Sequence, residues 1–165
     1  MILKEKKHIL NIVIVGDGTL YDEAINLCKE SGFIDEFKFL KSIPHEDVLS
    51  EQIKSDIYVS ANTDGNLINT NLEAISSNAC MVIPKPQYEK SIDIETYKLL
   101  ANAVVYYKVN DVNDLKNKIL YLLNNPQKIK YFKDKISFTK LEFMRTWDQR
   151  IDEEENILSN ILSNN

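Results

Sequence analysis

The amino-acid sequence predicts an α/β fold built on an open parallel sheet of about five strands. Three observations carry the prediction. Apolar runs of strand length recur along the chain with helical patterns between them, the rhythm of β-α units. The first run, Ile12-Val13-Ile14-Val15, is β-branched throughout and does not alternate with polar residues, as in a central strand covered on both faces. The chain has 165 residues, 44% hydrophobic and 27% charged, which is room for about one core and hence for a single domain over residues 1–165.

Taken in order, the first strand is expected within residues 10–15 and the later ones at 37–40, 57–60, 81–84 and 104–107. Between the first two, residues 20–31 place Ala24, Ile25, Leu27 and Cys28 on one side and stop at Gly32, a short crossover helix. Pro44 opens a second helix that runs to residue 54, since proline suits a first helical turn. A third helix is predicted over 64–78 and a fourth over 112–123, the latter ending at Asn124-Asn125-Pro126. The remainder reads as a helical tail broken near Thr146, which brings the helices to about seven. Residues 85–100 mix loop and helix signals around Pro86, Tyr88 and Tyr97.

Composition removes several classes of function. Twenty-five acidic against twenty basic residues give a net charge of −5, which does not suit nucleic acid or an anionic membrane. Four glycines, against the usual ~7%, leave no phosphate cradle rich in glycine. Cys28 and Cys80 stand in apolar surroundings without a histidine at ligand spacing, so they read as two reduced, buried thiols rather than a disulfide or zinc site. No signal peptide is apparent and no run approaches the ~20 apolar residues of a membrane span, so a cytoplasmic location is expected.

Ligands of open parallel sheets bind beyond the carboxyl ends of the strands, which directs attention to five loops. The first, Gly16-Asp17-Gly18-Thr19, lies between a strand and a helix. Tyr21 stands where a third glycine would complete a dinucleotide fingerprint, so the segment reads either as a tight turn needing positive φ, with Asp17 or Thr19 capping the helix, or as a close backbone approach to a nucleotide. The second is the stretch from Thr63 to Ala74. On a helix, Asn66, Asn69, Thr70 and Glu73 fall at i, i+3, i+4 and i+7 and share one face, while Ile68, Leu72 and Ile75 share another suited to packing on the sheet. Helix N-termini attract phosphate, and a carboxylate two turns in can accept hydrogen bonds from both hydroxyls of a ribose. The alternative is an N-cap at Asp64 or Asn66 followed by a solvated face.

The series Ile12-Val-Ile-Val-Gly-Asp-Gly18, Phe37-Lys-Phe-Leu40 with Ile43-Pro44, Ser55-Asp-Ile-Tyr-Val-Ser60, Asn71-Leu-Glu-Ala-Ile75 and Met81-Val-Ile83 resembles the C-terminal, donor-nucleotide-binding domain of the group 1 (family 4) glycosyltransferases. Thr146-Trp-Asp-Gln-Arg-Ile151 is similar to their final helices, so the resemblance covers residues 10 to about 158. It implies one Rossmann-like half of a GT-B architecture and transfer of a sugar from a nucleotide-diphosphate donor, of UDP or GDP type, with retained configuration and without a metal. It further implies that Glu73 binds the ribose and that Gly16, Gly18, Lys41 and Ile43 border the nucleoside. Asn69, Thr70 and Asn71 would meet the pyrophosphate through their backbone amides, and Asp64 or Asn66 is the candidate for the donor sugar.

The pattern departs from the family in three places. Gly65 stands where the first glutamate of a paired motif belongs, with Asp64 one place earlier; Asn66 and Asn69 match a sub-branch with asparagines seven and four positions before the glutamate. Asn78 and Cys80 replace the usual glycine and proline after the helix, a change asparagine tolerates at a left-handed helix end. The first β-α unit of the family's domain, with an Arg and a Lys that neutralise the leaving diphosphate, and the acceptor-binding N-terminal domain have no counterpart. The implied partners are thus the donor and a facing domain in cis or on another chain, with no nucleic acid, and with peripheral membrane association only of a full-length enzyme. Alone the chain is expected to bind nucleotide and catalyse little, which leaves catalytic residues unassigned. Lys41 and Lys85 are the only candidate cations for a diphosphate. His8 and His45 read as surface residues, Tyr107 and Trp147 as packing residues, and Asp152-Glu153-Glu154-Glu155 as a solvated helix face. The setting that the family suggests is polysaccharide or cell-surface glycan synthesis; the alternatives are a non-catalytic interaction module of the same fold and the donor subunit of a split transferase.

Overall fold

A computed structural model describes residues 10–62, 67–87 and 94–163. Five strands and seven α-helices follow one another in it: β1 (Ile12–Val15), α1 (Tyr21–Glu30), β2 (Phe37–Leu40), α2 (His45–Lys54), β3 (Ile57–Val59), α3 (Asn69–Ser76), β4 (Cys80–Pro84), α4 (Ile94–Leu100), β5 (Val105–Tyr107), α5 (Val112–Leu123), α6 (Pro126–Phe143) and α7 (Trp147–Ser163). A single 3-10 turn, Ile34–Glu36, leads into β2. Every strand pairing is parallel, as the β-α rhythm requires.

Among the described residues the strands do not form one ladder. β1 pairs with β2 in the register Ile12↔Phe37 to Val15↔Leu40, and separately β3-β4-β5 form a three-stranded sheet. β1 is therefore not central among the described residues: one edge is bonded to β2, the other has no described partner, and Val15 is 40% exposed. The outer edge of β3 is likewise unpaired among the described residues.

β4 is the best buried element, with all five residues out of water. Its side chains alternate between two clusters, as the period of a strand dictates. Met81 and Ile83 pack with Ala74, Ile75, Leu100, Val104 and Ile136. Cys80 and Val82 pack with Val105, Tyr107 and Leu122, flanked by Ile57, Ile129 and Phe132. Helix α6 serves both clusters, through Ile136 to the first and Ile129 and Phe132 to the second. Burial holds the Cys80 thiol protonated, its pKa pushed up to about 12. Cys28 is only partly buried, short of the burial expected for it. No buried hydrophobic residue precedes Ala74 among the described residues, so the β1-α1-β2 region is held by smaller contacts such as the edge-on Tyr21–Phe39 pair.

Local signals explain the helix ends. Gly32 (φ +74°) follows α1 in a left-handed conformation, with Phe33 N–H returning to Cys28 O and Gly32 N–H to Lys29 O. Asn78 (φ +57°) ends α3 by the same device, Ala79 N–H bonding Ala74 O, so the asparagine expected to replace glycine there does so. Asp111 caps α5 by accepting from Asp114 N–H, and Thr146 with Gln149 forms a reciprocal capping box that starts α7. At the start of α1 the expectation fails: the N-cap is Leu20 without a side-chain bond, so neither Asp17 nor Thr19 caps it. Helix α7 buries no residue, and Trp147, expected to pack, is 79% exposed. The acidic run 152–155 is solvated as expected, with Glu153 paired to Arg145 and Glu154 to Arg150.

Ile136→Ala, which removes a fully buried side chain shared between α6 and β4, is predicted to cost about 2–5 kcal/mol. Phe138→Ala, on the 70% exposed side of the same helix, is predicted to stay within about 0.5 kcal/mol. Urea unfolding of the two variants checks the pair.

Candidate functional site

The carboxyl ends of β1 and β2 place two loops side by side. Gly16 N–H donates to Leu40 O at 2.9 Å, extending the ladder one residue past Val15↔Leu40, so the turn 16–19 and the segment 41–43 start side by side. Gly16 has φ +139°, a conformation that L side chains rarely adopt, and no heavy atom lies within 4 Å of where its Cβ would be. Backbone shape rather than crowding therefore selects glycine there. Gly18 has no positive φ; its carbonyl accepts from Tyr21 N–H at the entry to α1. The Lys41 ammonium sits 5.3 Å from the centre of the Tyr21 ring.

The carboxyl end of β3 is fixed through polar groups. Ser60 N–H bonds Val82 O, and the Tyr107 hydroxyl donates to Ser60 O at 2.9 Å from two strands away. Asn62 Nδ2 donates to Ser60 Oγ. From β3 the Tyr58 hydroxyl reaches α3, donating to Asn71 Oδ1 at 2.9 Å and sharing a 3.2 Å hydrogen bond with Thr70 Oγ1. Burial, reinforced by the nearby Glu73 carboxylate, raises the Tyr58 pKa above the ordinary tyrosine value, so the phenol stays a donor at neutral pH.

Helix α3 begins at Asn69, with Ile68 as its N-cap, five residues later than the sequence predicts. Its buried face is Asn71, Ala74 and Ile75. Ile68 and Leu72, expected on the sheet with Ile75, are instead 42% and 38% exposed. The helix is rotated so that Asn71, a polar residue, takes a core position, and Tyr58 satisfies it. Asn71 N–H bonds Ile68 O; among the described residues nothing accepts from the N–H groups of Asn69 and Thr70 in the first turn. Glu73 lies next along the same side, its side chain 24% exposed.

The two regions meet through α2 and α3. His45, the first residue of α2, brings Nδ1 to 3.5 Å from Glu73 Oε1. The far ends of both helices are tied to α6: Lys133 Nζ donates to Ser55 O after α2, and Lys140 Nζ to Ser76 O at the end of α3. The loop 41–43 that precedes α2 is thereby held beside the helix that carries Glu73. The arrangement offers a carboxylate able to accept from paired hydroxyls, first-turn amides suited to an anion, and backbone of two loops.

The family profile described as Glycosyl transferases group 1 matches residues 1–137. The chain belongs to that family. Curated protein sequences return no match. Among solved structures, the chain is similar to the HepE protein of Anabaena, crystallised in complex with UDP, with a TM-score of 0.73 at 15% identity. That likeness covers 98% of this chain and 43% of the other. It is also similar to sucrose-phosphate synthase from Thermosynechococcus elongatus, with a TM-score of 0.71 at 12% identity, over 94% of this chain and 39% of the other. The chain spans less than half the length of either.

Within this group 1 chain the structure sets Gly16 beside the end of β2, from which Lys41 and Ile43 follow in sequence, and carries Asn69, Thr70 and Glu73 on α3. It does not present the Asn71 side chain to a ligand, because that group is 1% exposed and spent on Tyr58. Asp64, Asn66, Gly65 and His8 lie outside the described residues. Lys41 and Lys85 are both exposed. Among the described residues no cluster of His, Cys, Asp or Glu is placed to hold a metal ion, and no helix is long and apolar enough to cross a membrane. Sequence reasoning missed His45, whose place beside Glu73 depends on how α2 and α3 pack, and Tyr58, which had been read only as part of a strand.

Tyr58→Phe is predicted to lose about 1–3 kcal/mol, because the buried Asn71 Oδ1 is left without its donor. Asn69→Ala, at an exposed position of the same turn, is predicted to change stability by less than about 0.5 kcal/mol. Denaturant midpoints at constant slope measure both.

Proposed function

We propose that residues 1–165 form a single donor-binding domain, the C-terminal half of a GT-B glycosyltransferase, and that it holds a sugar nucleotide of UDP or GDP type. The observation that carries this reading is Glu73, a partly shielded carboxylate on α3, brought by the α2–α3 contact to the side of the loop after β2. In this reading Glu73 accepts the ribose hydroxyls, and the backbone around Gly16, Gly18, Lys41 and Ile43 borders the nucleoside. The first turn of α3, Asn69 and Thr70 with the backbone of Asn71, receives the diphosphate with help from the helix dipole. Asp64 or Asn66 would read the sugar.

Transfer with retention requires positive charge where the diphosphate leaves. Here the first turn of α3 and Lys41 supply part of it, and a facing domain, in cis or on a partner chain, supplies the rest together with the acceptor site. The chain alone then binds nucleotide and turns over little. No metal takes part in this reading. The setting is cytoplasmic synthesis of a polysaccharide or cell-surface glycan, with a hexosyl donor. A second reading, an interaction module that keeps the fold without the donor site, is favoured by one observation: Gly65 occupies the position of the first glutamate of the family's pair.

Calorimetry separates them. Wild-type protein is expected to bind UDP or GDP, and Glu73→Ala to weaken that binding ten-fold or more, about 1.4 kcal/mol per factor of ten. Wild-type protein that binds neither nucleotide at millimolar concentration would sink the donor-site reading in favour of the interaction module.

A further inference from the structure

From α2 the His45 imidazole faces the Glu73 carboxylate, with Nδ1 3.5 Å from Oε1, and the Tyr58 phenol of β3 lies near the same carboxylate. The His45 and Glu73 side chains are 73% and 24% exposed, so as an ion pair the contact adds little to stability. Its backbone supports, however, are fixed at both ends. Pro44, with φ −53°, sets the direction in which α2 starts, Gln52 is buried in its last turn, and Lys133 binds the carbonyl that follows it. On the other side Asn71, Ala74 and Ile75 bury α3, and Lys140 holds its last carbonyl. Two anchored helices thus deliver an imidazole to one oxygen of one carboxylate.

The chemistry of a vicinal diol gives that contact a use. Two adjacent hydroxyls bind a carboxylate well only when both oxygens lie in a plane the hydroxyls can reach, and the terminal torsion of a free glutamate is broad. At 3.5 Å the approach is longer than a formed hydrogen bond; shortened by about 0.5 Å as the ligand binds, it becomes an N–H of His45 held against Oε1 and fixes the plane. It still leaves a lone pair on Oε1 and both on Oε2 for the two hydroxyls, since an ionised carboxylate offers about four acceptor positions.

We propose that His45 is a positioning residue that orients the Glu73 carboxylate for the ribose diol, and so makes the site select ribonucleotides over their deoxy counterparts. This rests on the role of Glu73 given above. It assigns His45 a function that surface exposure alone would deny it.

The test is a cycle of two ligands against three proteins. UDP and 2′,3′-dideoxy-UDP, or the guanosine pair if GDP is the nucleotide bound, are titrated calorimetrically into the full chain as wild type, His45→Ala and His45→Asn. His45→Ala is expected to weaken binding of the ribonucleotide about 3- to 10-fold, the range of one hydrogen bond. It is expected to leave the dideoxy nucleotide unchanged, and asparagine, whose amide nitrogen takes the place of Nδ1, to restore most of the loss. Denaturant midpoints of the three proteins should coincide. Equal losses for both ligands, or none for either, in a protein whose nucleotide binding still falls with Glu73→Ala would overturn the role of His45 alone. Absence of nucleotide binding by the wild type would overturn it together with the donor-site reading.

Discussion

β4 is the strand on which the rest of the molecule is organised, because it alone has every side chain out of water and faces packed from both sides. Its alternation divides the interior into two clusters, and α6 is long enough to enter both. That constraint reaches beyond the core. A helix held by Ile129, Phe132 and Ile136 presents Lys133 and Lys140 along one flank, and these lysines receive the carbonyls that close α2 and α3. The helix ends nearest the candidate site are therefore positioned from the far side of the domain, through their opposite ends.

The carboxyl edge of β3 shows the same economy in polar form. Tyr107 reaches across β4 to the Ser60 carbonyl, and Tyr58 reaches forward to Asn71. A core asparagine at a helix start is costly unless satisfied. Here its satisfaction sets the rotation of α3, and that rotation is what turns Glu73 toward α2 rather than into the sheet.

Much of this was legible before any coordinates. Strand positions followed from apolar runs, and the end of α5 was placed correctly because Asn124-Asn125-Pro126 is strong local punctuation. The break at Thr146 and the left-handed Asn78 were legible for the same reason, since both are decided within a few residues of chain. What was not legible depends on distant partners. Asn71 looks like a surface residue until Tyr58 is found beneath it, and His45 looks solvated until α3 is placed beside α2. The β-branched run Ile12–Val15 read as a central strand, yet its second edge meets no described strand; composition reports what a segment is suited to, and neighbours decide how far it is covered. The family relation was legible from the order of motifs, although no one motif is decisive.

The outer edges of β1 and β3 bear on how the protein behaves in bulk. Each is a row of backbone donors and acceptors with no bonded neighbour among the described residues, and β1 carries on it neither a lysine nor a proline, the residues that usually blunt such edges. Where nothing covers it, such an edge accepts any extended chain of suitable spacing, including a second molecule of the same kind. Where the β1 edge stands open in solution, dispersed material is lost through edge pairing at a rate that rises with protein concentration, below the temperature at which the β4–α6 core unfolds.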